Sequence, residues 1–484
     1  MNNIENKSNT IQNIMWRFGE RFGAKFVSFL VSLVLARILS PDEYGIVALV
    51  TVFTNLFSVF VECGLGMALI QKKDADELDF STVFYFNMLL CFLTYIIMFL
   101  AAPLIANFYM KPELVSVIRV QSITLIISGF MAIPSAYISK NLLFKKFFYA
   151  TLFGTIFSAF VGIGMAYTGF GYWSLVGQQL TNMFFDTLIL WIIIDWKPKP
   201  IFSFLRLKTL LNYGYKLLLS TLLDRLYTNM KSLIIGKVYT TSDLAYYNKG
   251  EEYPQLLMSN LSMPIDNVIF PIMAKQQDNK DNLLSLARRS LKVSMYIICP
   301  MMMGLAGVSI SFVKLLLTDK WLPAIPFMII ACFVFSLFPI HTMHLNVINA
   351  LGRSDIFLKL EIIKKIVGIT AILISIRYGV LAIACSSIVT GLIGTFINGY
   401  PSTKLINYSY KQQLSDILPT LCLSMFMGII VFQFNRLGLS TISTLLIQIL
   451  VGILIYWTSS KILHLEAYDY LVNTAIQFLN KKNK

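Results

Sequence analysis

Residues 82–106 read TVFYFNMLLCFLTYIIMFLAAPLIA, twenty-five positions without one charged side chain. As a helix rising about 1.5 Å per residue, the stretch is roughly 37 Å long, more than the ~30 Å hydrocarbon core of a bilayer. A helix pairs its own N–H and C=O groups, as lipid surroundings demand. Apolar runs of the same kind recur at 27–39, 152–167 and 441–457. The fold class that follows is all-α and integral to a membrane.

Composition supports this. The chain is 56% hydrophobic and 13% charged, whereas a soluble domain is about one-quarter charged. Aromatic residues are frequent, and Trp173 and Trp196 fall near predicted span ends, where aromatic belts form. The net charge of +15 does not point to nucleic acid, because basic residues punctuate the hydrophobic runs and form no dense tail. The six cysteines are far apart and make no CxxC, so neither a zinc site nor a disulfide framework is expected. Polar residues 1–10 followed by Trp16 and Arg17 do not read as a cleavable signal; the first span itself would drive insertion.

The sequence predicts about fourteen helices: 14–38, 44–68, 81–108, 114–138, 147–168, 171–194, 209–236, 243–273, 286–316, 322–349, 356–376, 379–400, 413–434 and 441–463. The eighth contains Lys249, Glu251, Glu252, Pro254, Pro264 and Pro271 and is weak by hydropathy. Omitting it would invert the charge pattern. Every second connection, from the one after the second span, is basic: Lys72, Lys73; Lys140, Lys145, Lys146; Lys197, Lys199, Arg206, Lys208; Lys275, Lys280, Arg288, Arg289; Arg353, Lys359; Lys404, Lys411; and Lys481, Lys482, Lys484 in the tail. Those twenty stand against five on the other side: Lys111, Lys237, Lys320, Arg377 and Arg436. The positive-inside rule then places both termini in the cytoplasm, at the cytoplasmic (inner) membrane.

A duplication is also legible. Phe18-Gly19-Glu20-Arg21 parallels Tyr213-Gly214-Tyr215-Lys216. Arg37-Ile38-Leu39-Ser40 with Glu43-Tyr44-Gly45 parallels Lys237-Val238-Tyr239-Thr240 with Asp243-Leu244-Ala245. Six spans separate the copies, so both enter the membrane in the same orientation, an arrangement many transporters use.

Charge inside a span costs at least ~2.5–3.5 kcal/mol per group at the helix centre, so it should face a polar path. Arg17, Arg21 and Lys25 recur at i, i+4 on the first helix and form one cationic stripe. A diphosphate needs such fixed charges; anionic lipid headgroups are the alternative occupants. Lys216 and Arg225 on the seventh helix and Lys249 on the eighth extend the list of candidate substrate cations. Asp224, Glu252 and Glu62 are candidate ion-coupling carboxylates, and static interhelical ion pairs are the competing reading. The eleventh helix begins with Lys359, Glu361, Lys364 and Lys365, and Asp186 lies in the sixth. His341 and His344, at i, i+3, share a helix face without further ligands nearby, so packing or a polar contact is expected and not a metal. No P-loop, GxGxxG or GxSxG occurs, which points away from an enzyme and from a bound cofactor. Frequent prolines at 134, 264, 271, 300 and 339 suit a transporter with broken helices.

The stretch Ala36-Arg37-Ile38-Leu39-Ser40-Pro41-Asp42-Glu43-Tyr44-Gly45 resembles the segment after the first helix of Wzx-like polysaccharide flippases of the multidrug/oligosaccharidyl-lipid/polysaccharide exporter superfamily. Similar likeness lies in Gly171-Tyr172-Trp173-Ser174-Leu175-Val176-Gly177, Tyr246-Tyr247-Asn248-Lys249-Gly250, Phe270-Pro271 with Gln277-Asp278, and Asn349-Ala350-Leu351-Gly352-Arg353-Ser354-Asp355 with Leu358-Lys359-Leu360-Glu361. It covers about residues 14–400 and is strongest to the colanic-acid and teichuronic-acid exporter subgroup. The resemblance implies two six-helix lobes around a central cavity, residues 1–200 and 201–404, with two further helices and a cytoplasmic tail in 405–484. It implies alternating access and a substrate of undecaprenyl diphosphate bearing an oligosaccharide. Implied partners are membrane lipids and the polysaccharide polymerase and export machinery. A cation-coupled multidrug efflux pump on the same fold is the rival reading; it would favour acidic, aromatic cavities, whereas the candidate cavity residues here are net basic. In the lipid II flippase relatives an extra C-terminal helix pair shapes a groove for the lipid tail; no motif here carries that over residue by residue.

Overall fold

A computed structural model describes the backbone of residues 23–62 and 64–482. Among these residues every long element is a helix and no strand occurs. In chain order the first nine are α1 (23–38), α2 (Pro41–Glu62), α3 (Leu65–Gln71), α4 (Glu77–Tyr109), α5 (Leu114–Gln121), α6 (Ile123–Lys140), α7 (Phe144–Tyr167), α8 (Trp173–Ile193) and α9 (Phe204–Val238). Then follow α10 (Thr241–Ala274), α11 (Lys280–Leu316), a short 3-10 turn (Asp319–Ala324), α12 (Ile325–Ser336), α13 (Phe338–Ala350), α14 (Ser354–Ser375), α15 (Val380–Leu405), α16 (Tyr410–Gln433), α17 (Thr441–Ile462) and α18 (Glu466–Lys482).

Among the described residues, predicted helices overlap helical chain, the first of them from residue 23 on. By length and hydropathy, nine segments among the described residues qualify as membrane spans, or ten if the halves of α10, bent by 42° between Ser262 and Asn267, count as one. α8 and α9 fall short because of polar side chains such as Gln178, Gln179, Asn182 and Asp186, or Asp224, Arg225 and Lys231. The second predicted span breaks into α2 and α3, where Gly64 takes φ +64°, a conformation that favours glycine. The tenth breaks into the 3-10 turn, α12 and α13, with Pro339 in the first turn of α13. The tail beyond residue 464 contains α18, which hydropathy alone misses because the helix is amphipathic.

The chain forms two compact units, Met1–Ala245 and Tyr246–Lys484. In the first, α7 pairs along α8, α4 packs on α6, and α9 packs on α2, α3 and α4. Its core gathers Leu69, Val83, Ile138, Leu190 and Trp196. Trp196, read from the sequence as a belt residue, is buried and stacks on Tyr137. In the second unit α11 packs on α12, α13, α16 and α17, around Leu283, Leu291, Met295, Val347 and Tyr408. The first unit includes α9 and the first residues of α10.

α2 and α10 begin in the same way. Ser40 N–H donates to Glu43 Oε2 at 2.6 Å and Glu43 N–H returns to Ser40 Oγ at 3.4 Å. Thr240 N–H donates to Asp243 Oδ2 at 3.2 Å and Asp243 N–H returns to Thr240 Oγ1 at 3.1 Å. These reciprocal caps satisfy two of the unpaired N–H groups of a helix start. They stand 200 residues apart, at the offset of the sequence parallel, and they touch: the Thr241 hydroxyl donates to Asp42, and Gly45 lies against the Thr241 carbonyl.

The connector from α8 to α9, residues 194–203, is strapped to the start of α4. Lys199 N–H donates to Ser81 Oγ at 3.1 Å, Ser203 N–H donates to Thr82 Oγ1 at 3.0 Å, and Lys199 pairs with Glu77 at 2.5 Å. At its entry Lys146 donates to Asp195 at 2.6 Å and holds that carboxyl below the usual carboxylate range.

Candidate substrate and coupling site

Arg17 and Arg21 lie outside the described residues. Lys25, the third member of the stripe, is exposed on α1. Lys216 falls within α9, its side chain outside the described set. Asp224 and Arg225 are exposed neighbours on α9. Successive helix positions point about 100° apart, so the two present different faces. Glu62 is exposed at the last position of α2.

The structure brings two predicted residues together. Lys249 is 4% exposed and pairs with Glu252 at 2.8 Å, one turn along α10. Its ammonium also lies 5.7 Å from the Tyr253 ring and 5.9 Å from the Trp321 ring. Aromatic faces and one carboxylate thus offset the desolvation of this charge. A predicted cation and a predicted coupling carboxylate share one environment. Beside them Tyr247 O–H donates to Glu251 Oε1 at 2.6 Å.

The histidines share a face, as their spacing predicts, and that face is packed. His344 Nδ1 lies 2.8 Å from Ser402 Oγ and His341 Nδ1 lies 3.1 Å from Asn398 Nδ2, both partners one turn apart on α15. No group of three or more metal-type ligands occurs among the described residues.

Two charge hubs escaped sequence reading. In the first unit Asp79, with no exposed side-chain surface, accepts from Lys72 at 2.5 Å and from Arg206 at 3.1 Å. It also completes a reciprocal cap with Asp76, accepting the Asp76 N–H at 3.2 Å. In the second unit Asp416 accepts from Arg288 at 2.7 and 2.9 Å, from Lys292 at 3.0 Å and from Tyr408 O–H at 2.8 Å. Lys72, Arg206 and Arg288 were counted as topology signals, and Lys292 was not singled out. Their carboxylates lie 7 to 128 residues away, and only Asp79, in its Asp-x-x-Asp cap, left a local trace. Both hubs are ion networks that fasten helices together. Asp186 on α8 is buried, and a Cβ on Gly154 of α7 would strike its Oδ1, so that glycine makes the carboxyl's room.

A groove of about 610 Å³ in the second unit runs between α11 and the C-terminal pair. Tyr296, Pro300, Gly304 and Val308 of α11 form one wall, Met427 and Val431 of α16 and Ile449, Ile453, Tyr456 and Trp457 of α17 the other.

Residues 34–326 match the model of the family described as polysaccharide biosynthesis protein. The chain belongs to that family. It is 24% identical over 394 residues to the teichuronic acid biosynthesis protein TuaB of Bacillus subtilis (strain 168), covering 79% of each chain. To the lipopolysaccharide biosynthesis protein WzxC of Escherichia coli (strain K12) it is 24% identical over 414 residues, covering 82% of this chain and 83% of the other. In fold the chain is similar to a solved structure described as the lipid II flippase MurJ, inward closed conformation, with a TM-score of 0.73 at 16% identity over 95% of this chain and 100% of that one. An inward-facing multidrug resistance MATE transporter matches less well, with a TM-score of 0.59 at 15% identity over 81% and 99%. The family is one of membrane polysaccharide transporters, in line with the resemblance read from the sequence, and the chain is a multi-pass membrane protein.

Proposed function

We propose that this protein flips an undecaprenyl-diphosphate-linked oligosaccharide across the cytoplasmic membrane by alternating access, for cell-surface polysaccharide synthesis. The observation that carries the reading is family membership combined with the flippase fold over 95% of the chain. The twenty-to-five basic asymmetry supports cytoplasmic termini.

The diphosphate docks on Arg17, Arg21 and Lys25, with Lys216, Arg225 and Lys249 as further cations on its path. Arg suits the task because its planar fork engages phosphate oxygens bidentately. The glycan crosses through water and polar side chains, because burying each unpaired hydroxyl costs kilocalories, while the prenyl chain stays in lipid. Residues 1–200 and 201–404 act as the two duplicated lobes, and 405–484 adds the C-terminal pair and tail. Asp224, Glu252 and Glu62 are the carboxylates we place in ion coupling. The polysaccharide polymerase and export machinery take the product.

Depletion of the protein in a strain that still makes the glycan tests the reading. Lipid-linked oligosaccharide should accumulate on the cytoplasmic leaflet and return to normal on re-expression. Unchanged leaflet distribution, with altered drug sensitivity instead, would favour an efflux pump.

A further inference from the structure

We propose that α11, α16, α17 and α18 build a site for one anionic glycerophospholipid, with its phosphate beside Arg289 and Lys292 and one acyl chain in the groove beneath. This goes beyond the transport substrate and does not depend on it.

Above the groove lies a second pocket of about 370 Å³, lined by Ser285, Arg288, Arg289 and Lys292 of α11 and by Glu466 and Tyr470 of α18. On α11 the positions 285, 289, 292, 296, 300, 304 and 308 recur every three or four residues, which makes them one stripe. Its chemistry changes in order: a hydroxyl and two cations, then Tyr296, then apolar residues to Val308. The opposite wall repeats the order, from Ile449 and Ile453 through Tyr456 and Trp457 to Glu466 and Tyr470. The two aromatic bands meet, since Tyr456 O–H donates to the Tyr296 carbonyl at 2.9 Å and their rings lie 5.0 Å apart. Such bands mark the boundary between headgroups and hydrocarbon. From Tyr296 to Val308 the groove runs about 18 Å, a little over half of a ~30 Å core. That is the depth of one leaflet.

Charge selects the headgroup. Asp416 takes Arg288 and Lys292, and Glu466 takes Lys292 at 2.5 Å. Three cations thus face two carboxylates. Arg289, exposed and 4.8 Å from the Tyr470 ring, carries the remaining positive charge. One phosphodiester balances it, a zwitterionic lipid does not, and a diphosphate over-balances it. Arg is the side chain best suited to hold phosphate at such a place.

The test offers the purified full-length protein equal phosphatidylglycerol and phosphatidylcholine of identical chains and counts retained lipid by native mass spectrometry. One phosphatidylglycerol should be retained with at least tenfold preference. Arg289→Gln should lower that retention roughly tenfold, the loss of a charge-assisted bond, with Arg289→Lys between. Gly304→Leu, whose Cβ would meet only Met427 Cε at 3.7 Å, should fill the groove and abolish retention. Unfolding temperatures check that the variants fold; if Gly304→Leu does not, the Arg289 pair decides. Equal retention of the two lipids, or retention indifferent to Arg289, overturns the proposal. So does wild-type retention by Gly304→Leu, which would mean that a phosphate alone binds. Displacement of phosphatidylglycerol by one equivalent of polyprenyl phosphate would overturn it too, because the site would then belong to the transport substrate.

Discussion

Replacing Gly45 with alanine tests the close contact between α2 and the start of α10. A Cβ there would fall 1.9 Å from the Thr241 carbonyl oxygen and 2.4 Å from its carbon, where real contacts essentially never come under 3.0 Å. The obstacle is backbone, fixed by the Thr240–Asp243 cap, so α2 and the start of α10 must part by more than 1 Å. Overpacking costs about 1–3 kcal/mol, and a backbone obstacle places this case near the upper end. Gly164 in α7 is the matched control, because a Cβ there meets nothing within 4 Å. Alanine at that helical position should gain about 0.5–1 kcal/mol by helix propensity. At about 2–4 °C per kcal/mol for a unit of this size, Gly45→Ala should melt roughly 6–12 °C lower. Gly164→Ala should melt slightly higher. Heating detergent-solubilised protein and measuring the monodisperse fraction gives both values. If the two variants melted together, the close approach of α2 to the start of α10 would be refuted.

Reporter fusions at Lys145, Lys199 and Lys404 should read cytoplasmic and those at Lys111, Lys237 and Arg436 external; an external signal at Lys404 would place an odd number of span errors within 243–400. Arg21→Gln should cripple flipping at unchanged membrane level, by about ten- to a hundredfold in substrate affinity, with Arg21→Lys intermediate. Near-normal flipping by an Arg21→Gln, Lys25→Gln double variant would remove the Arg17, Arg21 and Lys25 stripe from the substrate path. Asp224→Asn and Glu252→Gln should each slow transport in folded protein that still binds substrate; wild-type rates in both variants and in their combination would end the coupling reading for these carboxylates.

What the sequence made legible was whatever repeats along the chain at short range. The apolar run at 82–106 announced α4, and the prolines of the eighth predicted helix did not stop α10 from forming, only from running straight. The Ser40/Glu43 and Thr240/Asp243 parallels turned out to be paired caps, because a helix start needs local acceptors for its first N–H groups. His341 and His344 share a face because three residues make nearly one turn. Long-range pairing was not legible. Nothing near Arg206 or Arg288 in sequence indicates Asp79 or Asp416, since a carboxylate about 127 residues distant leaves no periodic trace. α18 was missed because hydropathy averages an apolar and a charged face to nearly nothing.

The strap from the connector to α4 has a consequence in time. Its bonds join residues 118 to 127 positions apart. At about 5–20 residues per second of synthesis, Ser81, Thr82 and Asp79 wait on the order of 6–25 s before Lys199, Ser203 and Arg206 emerge. During that interval α4 to α8 are made while the anchor stands open, and Lys72 is the one cation of its hub already synthesised. Changes at Ser81, Thr82 or Arg206 should therefore appear first as a lower yield of mature protein, through quality control during insertion, while the molecules that escape degradation transport at their ordinary rate.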